Sequence, residues 1–209
     1  MWYWIKTPFL VKKIFYNQLW DIPSKDPIVY LTFDDGPNKV MTEKILAILE
    51  KSNIKATFFC IGKNVKNNPE EYQKIIDQGH SVGNHSMTHP MGWGKSKEMY
   101  LNDIADAEKL INSNLFRPPY GKINFKSNKT LQKKYKIIMW DVVGGDFDPN
   151  CSKEQLIKNI TNNINNGSII VLHDNFSVHE KTLSALPEII NSIKEKGFKF
   201  KAIPYSRLR

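Results

Sequence analysis

Two adjacent carboxylates stand where a strand-like run gives way to a turn. Asp34 and Asp35 follow the apolar run 28–33 and precede Gly36-Pro37. Neighbouring side chains that leave a strand point in different directions, so one carboxylate can bind a cation while the other accepts a proton. The same residues are also typical of an Asp-rich turn before a helix. On its own, the pair does not distinguish a catalytic site from such a turn.

Two imidazoles four residues apart form a second cluster. His85 and His89 follow a Gly-Asn pair, and the whole chain has only 5 histidines. The spacing predicts that both side chains lie on one face of a helical turn. With one carboxylate they would supply three protein ligands and leave a coordination position open, as catalytic zinc sites do. An isolated pair of this kind is more often a pair of surface histidines, but its combination with Asp34-Asp35 favours a metal site.

Three further stretches complete an ordered pattern. They are Arg117-Pro118-Pro119-Tyr120-Gly121, then Trp140-Asp141 through Asp146-Phe147, then the run 170–174, Ile-Val-Leu-His-Asp. Together with the two clusters above, they resemble the polysaccharide deacetylase family, also called the NodB homology domain or carbohydrate esterase family 4. The resemblance extends from about residue 28 to the C-terminus, and five motifs in order are far more specific than any one of them.

Amide hydrolysis can be argued from the residues themselves. A metal held by Asp35, His85 and His89 would polarise a carbonyl group and lower the pKa of water. Asp34 would take the proton, and an acid such as His173 would protonate the departing amine. A backbone N–H near Tyr120 would help to stabilise the oxyanion.

The family resemblance implies the same roles and adds two more. Arg117 matches the arginine that steadies the catalytic Asp, and Asp146 matches the carboxylate that tunes the acidic His or that arginine. Considered singly, these two residues and His173 are more often a surface arginine, a turn former and a structural histidine. Zinc is the metal we expect, and cobalt and nickel suit the same nitrogen and oxygen ligands.

Aromatic residues in the motif loops could stack on sugar rings. Tyr120, Trp140 and Phe147 are the candidates for substrate binding, although any one of them could equally fill the core. Phe147 stands where the family usually has Trp, so it keeps an apolar face and lacks the indole donor. The expected substrate is an N-acetylglucosamine-containing polymer or oligomer, peptidoglycan or chitin-like. A hydrolase of a small non-sugar amide and a non-catalytic carbohydrate-binding protein are the alternatives.

Strand-like runs alternate with amphipathic segments, which predicts an α/β fold with a parallel sheet. The predicted strands are 28–33, 56–61, 81–83, 115–117, 136–141, 168–172 and 198–202. A helix is predicted around 42–49, Ser152 is a predicted helix cap, and Gly79, Gly167 and Gly197 are predicted helix stops. All five motifs then follow the carboxyl ends of strands, where active sites of (β/α) barrels lie. The resemblance refines the fold to a distorted, incomplete (β/α) barrel of about seven parallel strands, which is TIM-barrel-like.

Composition favours one catalytic domain with a short N-terminal segment. The chain has 209 residues, of which 41% are hydrophobic, and no linker, repeat or low-complexity tract divides it. We assign residues 25–209 to the catalytic domain and residues 1–24 to an apolar and basic helical segment that packs on the barrel. The cysteines, Cys60 and Cys151, do not require an oxidising compartment. The oligomeric state is not predicted.

The first twenty residues are strongly apolar but contain Lys6, Lys12 and Lys13. They match neither a cleavable secretory signal nor a membrane span, so we expect a protein that is cytoplasmic or peripheral to the membrane. Thr7-Pro8 predicts a cap and first turn, followed by an apolar stripe at positions 10, 11, 14, 15 and 19. We favour a helix that closes the bottom of the barrel over one that lies on an anionic membrane surface.

The net charge indicates an anionic partner. There are 30 basic and 21 acidic residues, for a formal charge of +9. The lysines are scattered rather than clustered among aromatic residues, which argues against nucleic-acid binding.

Overall fold

Parallel strands alternate with helices along residues 3–94 and 96–206, which a computed structural model describes. The strands of this part are β1 (Ile28–Asp34), β2 (Thr57–Cys60), β3 (Ser81–Asn84), β4 (Leu115–Phe116), β5 (Lys136–Ile137), β6 (Val142–Val143), β7 (Ile169–His173) and β8 (Lys199–Phe200). The helices are α1 (Phe9–Ile14), α2 (Met41–Lys51), α3 (Gly62–Asn67), α4 (Pro69–Asp77), α5 (Lys97–Glu108), α6 (Phe125–Leu131), α7 (Lys153–Thr161) and α8 (His179–Glu195).

Seven strands form a continuous parallel sheet in the order β5-β4-β3-β2-β1-β7-β6, and β8 pairs with the start of β1. The sheet curls into an open half-barrel, which confirms the predicted distorted (β/α) barrel. The open side lies between β5 and β6. In the described chain, no helix is long and apolar enough to cross a membrane.

Strand β1 is the centre of the sheet and is buried along its whole length. Its odd-numbered apolar residues, Val29, Leu31 and Phe33, join the large cluster that includes residues of α2, α7 and α8. Ile28 and Tyr30 join a second cluster with Phe59 of β2, Leu115 of β4 and Ile169 of β7. Because side chains alternate along a strand, Thr32 and Asp34 share the face of this second cluster.

The strand predicted over 136–141 is wrong beyond Ile137. Residues 138–141 instead cross the open side of the barrel, and the chain then forms β6, which pairs with β7 at the opposite edge of the sheet. The carbonyl oxygens of Ile138 and Met139 accept hydrogen bonds from the side chain of Arg117. The backbone N–H groups of Ile138 and Met139 still donate to the carbonyls of Phe116 and Leu19. Arg117 therefore takes the place of a neighbouring strand only for the two carbonyl oxygens.

Local signals for the helix ends are mostly confirmed. Ser152 caps α7 by accepting a hydrogen bond from the backbone N–H of Gln155 at 3.1 Å. Gly79 and Gly197 adopt positive φ shortly after α4 and α8 end. Gly167 lies six residues beyond α7 and forms the turn before β7, so the helix stop predicted there is wrong.

The N-terminal segment contacts both edges of the open sheet through its backbone. Lys6 bridges to Val142 of β6, and Leu19 bridges to Ile138 just after β5. The hydroxyl of Thr7 donates to the carbonyl of Trp140 and does not cap α1. Residues 1 and 2 of the segment lie outside the described residues, and its boundary at residue 24 stays a prediction.

The apolar stripe of the N-terminal segment is not buried, contrary to the interpretation favoured above. None of the residues of α1 is buried, and Leu10, Ile14 and Phe15 are exposed. The ammonium group of Lys12 instead faces the barrel, where it forms ion pairs with Asp21 and Asp141. The helix is therefore oriented by its charged side chain, and its apolar side chains face solvent.

Candidate active site

The Asp34 carboxylate lies at the carboxyl end of β1 and faces the interior of the barrel. It is 4% exposed, and its Oδ1 accepts a hydrogen bond of 2.6 Å from the guanidinium of Arg117. The same guanidinium nitrogen donates to the hydroxyl of Thr32 at 2.7 Å. Asp34 is thus a buried carboxylate with a fixed cationic partner.

Arg117 is fully buried at the centre of the half-barrel. Its guanidinium donates to the carbonyls of Ile138 and Met139, and it lies 4.1 Å above the ring of Phe59. Burial lowers the pKa of Arg117, and the charge and hydrogen bond of Asp34 oppose this shift. Because an arginine starts from so high a pKa, it stays charged at neutral pH.

Asp35, His85 and His89 form a group that could hold a metal ion. Their ligand atoms all lie within 4.8 Å of one another. Oδ1 of Asp35 is 3.6 Å from Nε2 of His85 and 3.3 Å from Nε2 of His89. Ligands bound tetrahedrally at zinc distances are about 3.4 Å apart. The spacing and the two-nitrogen, one-oxygen donor set therefore fit a divalent metal.

The tautomer of His85 suits metal binding. Its Nδ1 lies 2.8 Å from the backbone carbonyl of Arg117. A carbonyl oxygen can only accept, so Nδ1 carries the proton and Nε2 presents its lone pair towards Asp35. Burial lowers the pKa of His85, which keeps the ring neutral and able to act as a ligand.

The two histidines meet through a loop, and the helical turn predicted for 85–89 is not formed. Ser86 and His89 both adopt positive φ, at 68° and 58°. Asn84 Oδ1 accepts from the N–H of Ser86 at 2.7 Å, and Ser86 Oγ accepts from the N–H of His89 at 3.0 Å. The carboxylate of Asp103 accepts from the backbone N–H of Met87. These side-chain hydrogen bonds to the backbone take the place of the hydrogen bonds of a helical turn.

The loop after β1 is held by a buried neighbour of the site. The Asp174 carboxylate accepts hydrogen bonds from the hydroxyl of Thr42 and the amide of Asn38. A Cβ atom at Gly36 would approach Asp174 Oδ2 to 2.2 Å, so only glycine fits beside this carboxylate. Asp174 thereby fixes the turn that directly follows Asp35.

Asn175 orients the Asp35 carboxylate. Its Nδ2 donates to Oδ2 of Asp35 at 2.8 Å, which leaves Oδ1 facing the two histidines. Burial would raise the pKa of Asp35, but a hydrogen bond from His89 and the charge of His173 hold it well below its usual range. The carboxylate is therefore ionised and presents one oxygen to the candidate metal position.

We expect Asn175→Ala to weaken metal binding by about tenfold, because residues that orient metal ligands typically contribute 10–100-fold to affinity. Competition with a chromophoric chelator measures this without any activity assay. Asn102→Ala, at an exposed position on α5, is the matched control and should bind metal like the unaltered protein. Equal affinity of all three proteins would contradict the orienting role of Asn175.

His173 and Asp146 form a hydrogen-bonded pair beside Asp34. His173 is paired in register with Asp34 across β7 and β1. Its Nδ1 lies 2.9 Å from Asp146 Oδ1, and its backbone N–H donates to Asp146 Oδ2 at 2.7 Å. Burial lowers the pKa of His173, but the charge and hydrogen bond of Asp146, with the charges of Asp35 and Asp34, outweigh burial and raise it to about 9. At neutral pH the ring therefore carries a proton.

Three aromatic candidates surround this group in different ways. Tyr120 is 57% exposed, and its ring meets the ring of His89 at a centroid distance of 4.6 Å. The ring of Phe147 lies 5.4 Å from His173. Trp140 is half-buried, with its ring 5.9 Å from the Arg117 guanidinium. Tyr120 and Phe147 thus flank the cluster, whereas Trp140 packs behind it.

A half-barrel with an Asp-His-His group at the carboxyl ends of its strands defines a class of α/β enzymes with a candidate hydrolytic metal centre. The family model described as polysaccharide deacetylase matches residues 21–137. A peptidoglycan-N-acetylglucosamine deacetylase of Bacillus cereus is 34% identical over 188 residues, which cover 87% of this chain and 88% of that protein. The chain belongs to the polysaccharide deacetylase family, carbohydrate esterase family 4, and is therefore a hydrolase.

Two solved structures support this assignment. The Bc1960 peptidoglycan N-acetylglucosamine deacetylase has a TM-score of 0.89 and 32% identity, covering 97% of this chain and 100% of that chain. BA3943 of Bacillus anthracis, described as a pseudoenzyme of the same family, has a TM-score of 0.78 and 28% identity, covering 89% of this chain and 67% of that chain.

Sequence reasoning missed the residues that support the site. Thr32, Asp103 and Asn175 each hold a site residue or its loop through a side-chain hydrogen bond. Asn175 directly follows the His173-Asp174 motif, so its position after β7 was a usable signal. Asp103 lies within α5 and is brought to the histidine loop only by helix packing.

Proposed function

We propose that the protein removes the N-acetyl group from N-acetylglucosamine residues of peptidoglycan, with zinc at the Asp35-His85-His89 group. One observation carries the proposal. A buried carboxylate, Asp34, and a protonated imidazole, His173, lie on adjacent strand ends next to a group of metal ligands. Hydrolysis of an amide needs a base for water, an electrophile for the carbonyl and an acid for the amine.

Asp35, His85 and His89 would hold the zinc ion, which would supply Lewis-acid polarisation of the carbonyl and a lowered pKa of water. Cobalt and nickel suit the same ligands. Asp34 acts as the base, and Arg117 fixes its orientation through the 2.6 Å hydrogen bond. The backbone N–H of Tyr120, on a loop with positive φ, is the candidate donor to the oxyanion.

His173 acts as the general acid for the departing amine. Asp146 holds Nδ1, so the other ring nitrogen is the one that carries the transferable proton. Thr182 donates to the second oxygen of Asp146 at 3.1 Å. Asp146 therefore acts on His173 by position and charge.

We expect activity to fall above about pH 9, because the raised pKa of His173 keeps the acid protonated only below that pH. Asp146→Asn removes the largest cause that raises this pKa, while burial still lowers it. The basic limb of the kcat/KM profile should then move to lower pH by about one unit or more.

Asp148→Asn, a change on the same loop, is the control for this pH profile and should leave the limb in place. An unchanged limb in Asp146→Asn would contradict the assignment of His173 as the acid.

Exposed aromatic residues around the site support a polymeric substrate. Tyr120, Trp93 and Phe176 are each more than half exposed, and Phe147 flanks His173. Sugar rings stack on such faces. The choice of peptidoglycan rather than a chitin-like polymer rests on the relatives, two of which carry peptidoglycan N-acetylglucosamine in their names.

Mass spectrometry of muropeptides tests the substrate. Peptidoglycan incubated with zinc-loaded protein should lose acetyl groups from N-acetylglucosamine, and His89→Ala should leave it intact. Faster deacetylation of chitin oligomers would move the assignment to a chitin-like substrate. Turnover of small amides alone would contradict a polysaccharide substrate.

A non-catalytic role is the second candidate function, because the family contains a pseudoenzyme. This chain retains a candidate base, a candidate acid and all three candidate ligands, which supports turnover. Saturable binding of peptidoglycan without acetate release at full metal occupancy would favour the binding role.

A further inference from the structure

The N-terminal helix presents an unusually apolar surface to solvent. We define the N-terminal apolar face as Phe9, Leu10, Ile14, Phe15 and Tyr16, each of which is 47–83% exposed. These five large side chains fall within eight consecutive residues. A concentration of exposed apolar side chains on a soluble domain commonly marks an interaction surface.

The face is firmly attached to the barrel, so its exposure does not come from a detached tail. Before α1, the backbone N–H of Thr7 donates to the carbonyl of Asp141 at 2.9 Å. After α1, Gln18 is buried, and the N–H of Leu19 donates to the carbonyl of Ile137 at 2.8 Å. Lys12 fastens the helix itself through Asp21 and Asp141.

Basic residues adjoin the apolar face. A concave surface of about 640 Å³ beside Phe9 is lined by Lys6, Lys12 and Lys13, with Asp21. Asp21 and the buried Asp141 offset two of these charges, and Lys13 remains exposed. At the other end of the segment, Asn17 pairs with Gln132, whose chain neighbour Lys133 is exposed.

The apolar face and the candidate active site lie at opposite ends of the barrel. Tyr3 contacts Phe147 near the carboxyl end of β6, and residues 5–7 then run antiparallel to that strand. The chain therefore reaches α1 at the amino ends of the strands. It returns through Asp21, which bridges to Ser168 just before β7 begins. His173, at the far end of β7, faces the other way.

We propose that the N-terminal apolar face, together with the exposed Lys13 beside it, docks on an anionic phospholipid bilayer. Apolar side chains flanked by lysines match the acyl boundary and headgroups of such a surface. A second copy of this chain fits less well, because each copy carries a formal charge of +9 and the copies repel. Docked in this way, the protein directs its candidate active site away from the membrane. The proposal does not depend on the substrate proposed above.

Vesicle co-sedimentation tests this docking. The full protein should sediment with vesicles of equal parts phosphatidylcholine and phosphatidylglycerol and remain in solution with phosphatidylcholine alone. Leu10→Ser/Ile14→Ser should lower the partition coefficient by about tenfold or more, because it removes apolar insertion without touching the core. Phe125→Ser, which changes an exposed aromatic on α6, is the matched control and should sediment like the unaltered protein.

Failure of the unaltered protein to bind anionic vesicles would overturn the proposal, as would equal binding by the double variant. Light scattering measures the oligomeric state and so distinguishes membrane docking from dimer formation through the same face. A dimer that the double variant abolishes would assign the face to a second copy instead. The thermal unfolding midpoint of the double variant should match that of the unaltered protein, since both altered side chains are exposed.

Discussion

Asp34→Asn should lower the rate of acetate release from N-acetylated oligosaccharides by about 10²- to 10⁴-fold, the range that a positioned general base contributes. The side-chain amide of asparagine has a much lower proton affinity than the carboxylate of Asp34, so it cannot take the proton from water. Metal content should stay at the level of the unaltered protein, because the candidate ligands are Asp35, His85 and His89. Acetate detection together with metal analysis of the same sample separates the two effects.

The control for this prediction is Asp148→Asn, a half-buried carboxylate that pairs with Tyr3 at the rim. It should retain most of the activity. If Asp34→Asn kept more than about a tenth of the rate, Asp34 would not be the base. If it lost its metal, Asp34 would have to be counted among the ligands.

Replacing Arg117 with methionine should destabilise the fold by about 3–5 kcal/mol, the cost of leaving a buried charge without its partner. The guanidinium is fully buried, and Asp34 is 4% exposed. Removal of the guanidinium also leaves the carbonyls of Ile138 and Met139 without their hydrogen-bond donor. These two residues lie where the chain crosses the open side of the barrel. Urea denaturation with an unchanged m-value measures the loss.

A double variant distinguishes the ion pair from simple packing. Asp34→Asn/Arg117→Met removes both charges, so its destabilisation should be smaller than the sum of the two single changes. Arg117→Lys should lie between the unaltered protein and Arg117→Met, since it keeps the charge and loses the planar fork. A loss below about 1 kcal/mol in Arg117→Met would contradict a central role of this pair in stability.

The sequence predicts the candidate site well because its groups follow strands. Asp34, Asp35, His85 and His173 each end a strand or directly follow one, and parallel strands bring such positions to one edge. The site residues therefore converge even though the turn expected for 85–89 is an irregular loop. The tautomer of His85 and the contact of Asn175 depend on atoms from distant segments, which no local pattern records.

The errors in the fold have a common cause. The run 136–141 has the composition of one strand, but Arg117 and the N-terminal segment provide most of its hydrogen-bond partners beyond Ile137. The stripe of α1 has the period of a buried helix, yet Lys12 forms ion pairs with acidic residues of the barrel and turns the apolar side chains outward. In both places a long-range polar contact overrides a local pattern.

Titration of metal into metal-stripped protein tests the central claim most directly. With peptidoglycan as substrate, acetate release should be absent at first, rise with added zinc and level off at one equivalent. His89→Ala, which lacks one of the three candidate ligands, should stay inactive over the same titration. Acetate release that survives stripping, or no release at full zinc occupancy, would contradict a deacetylase that works through the Asp35-His85-His89 group.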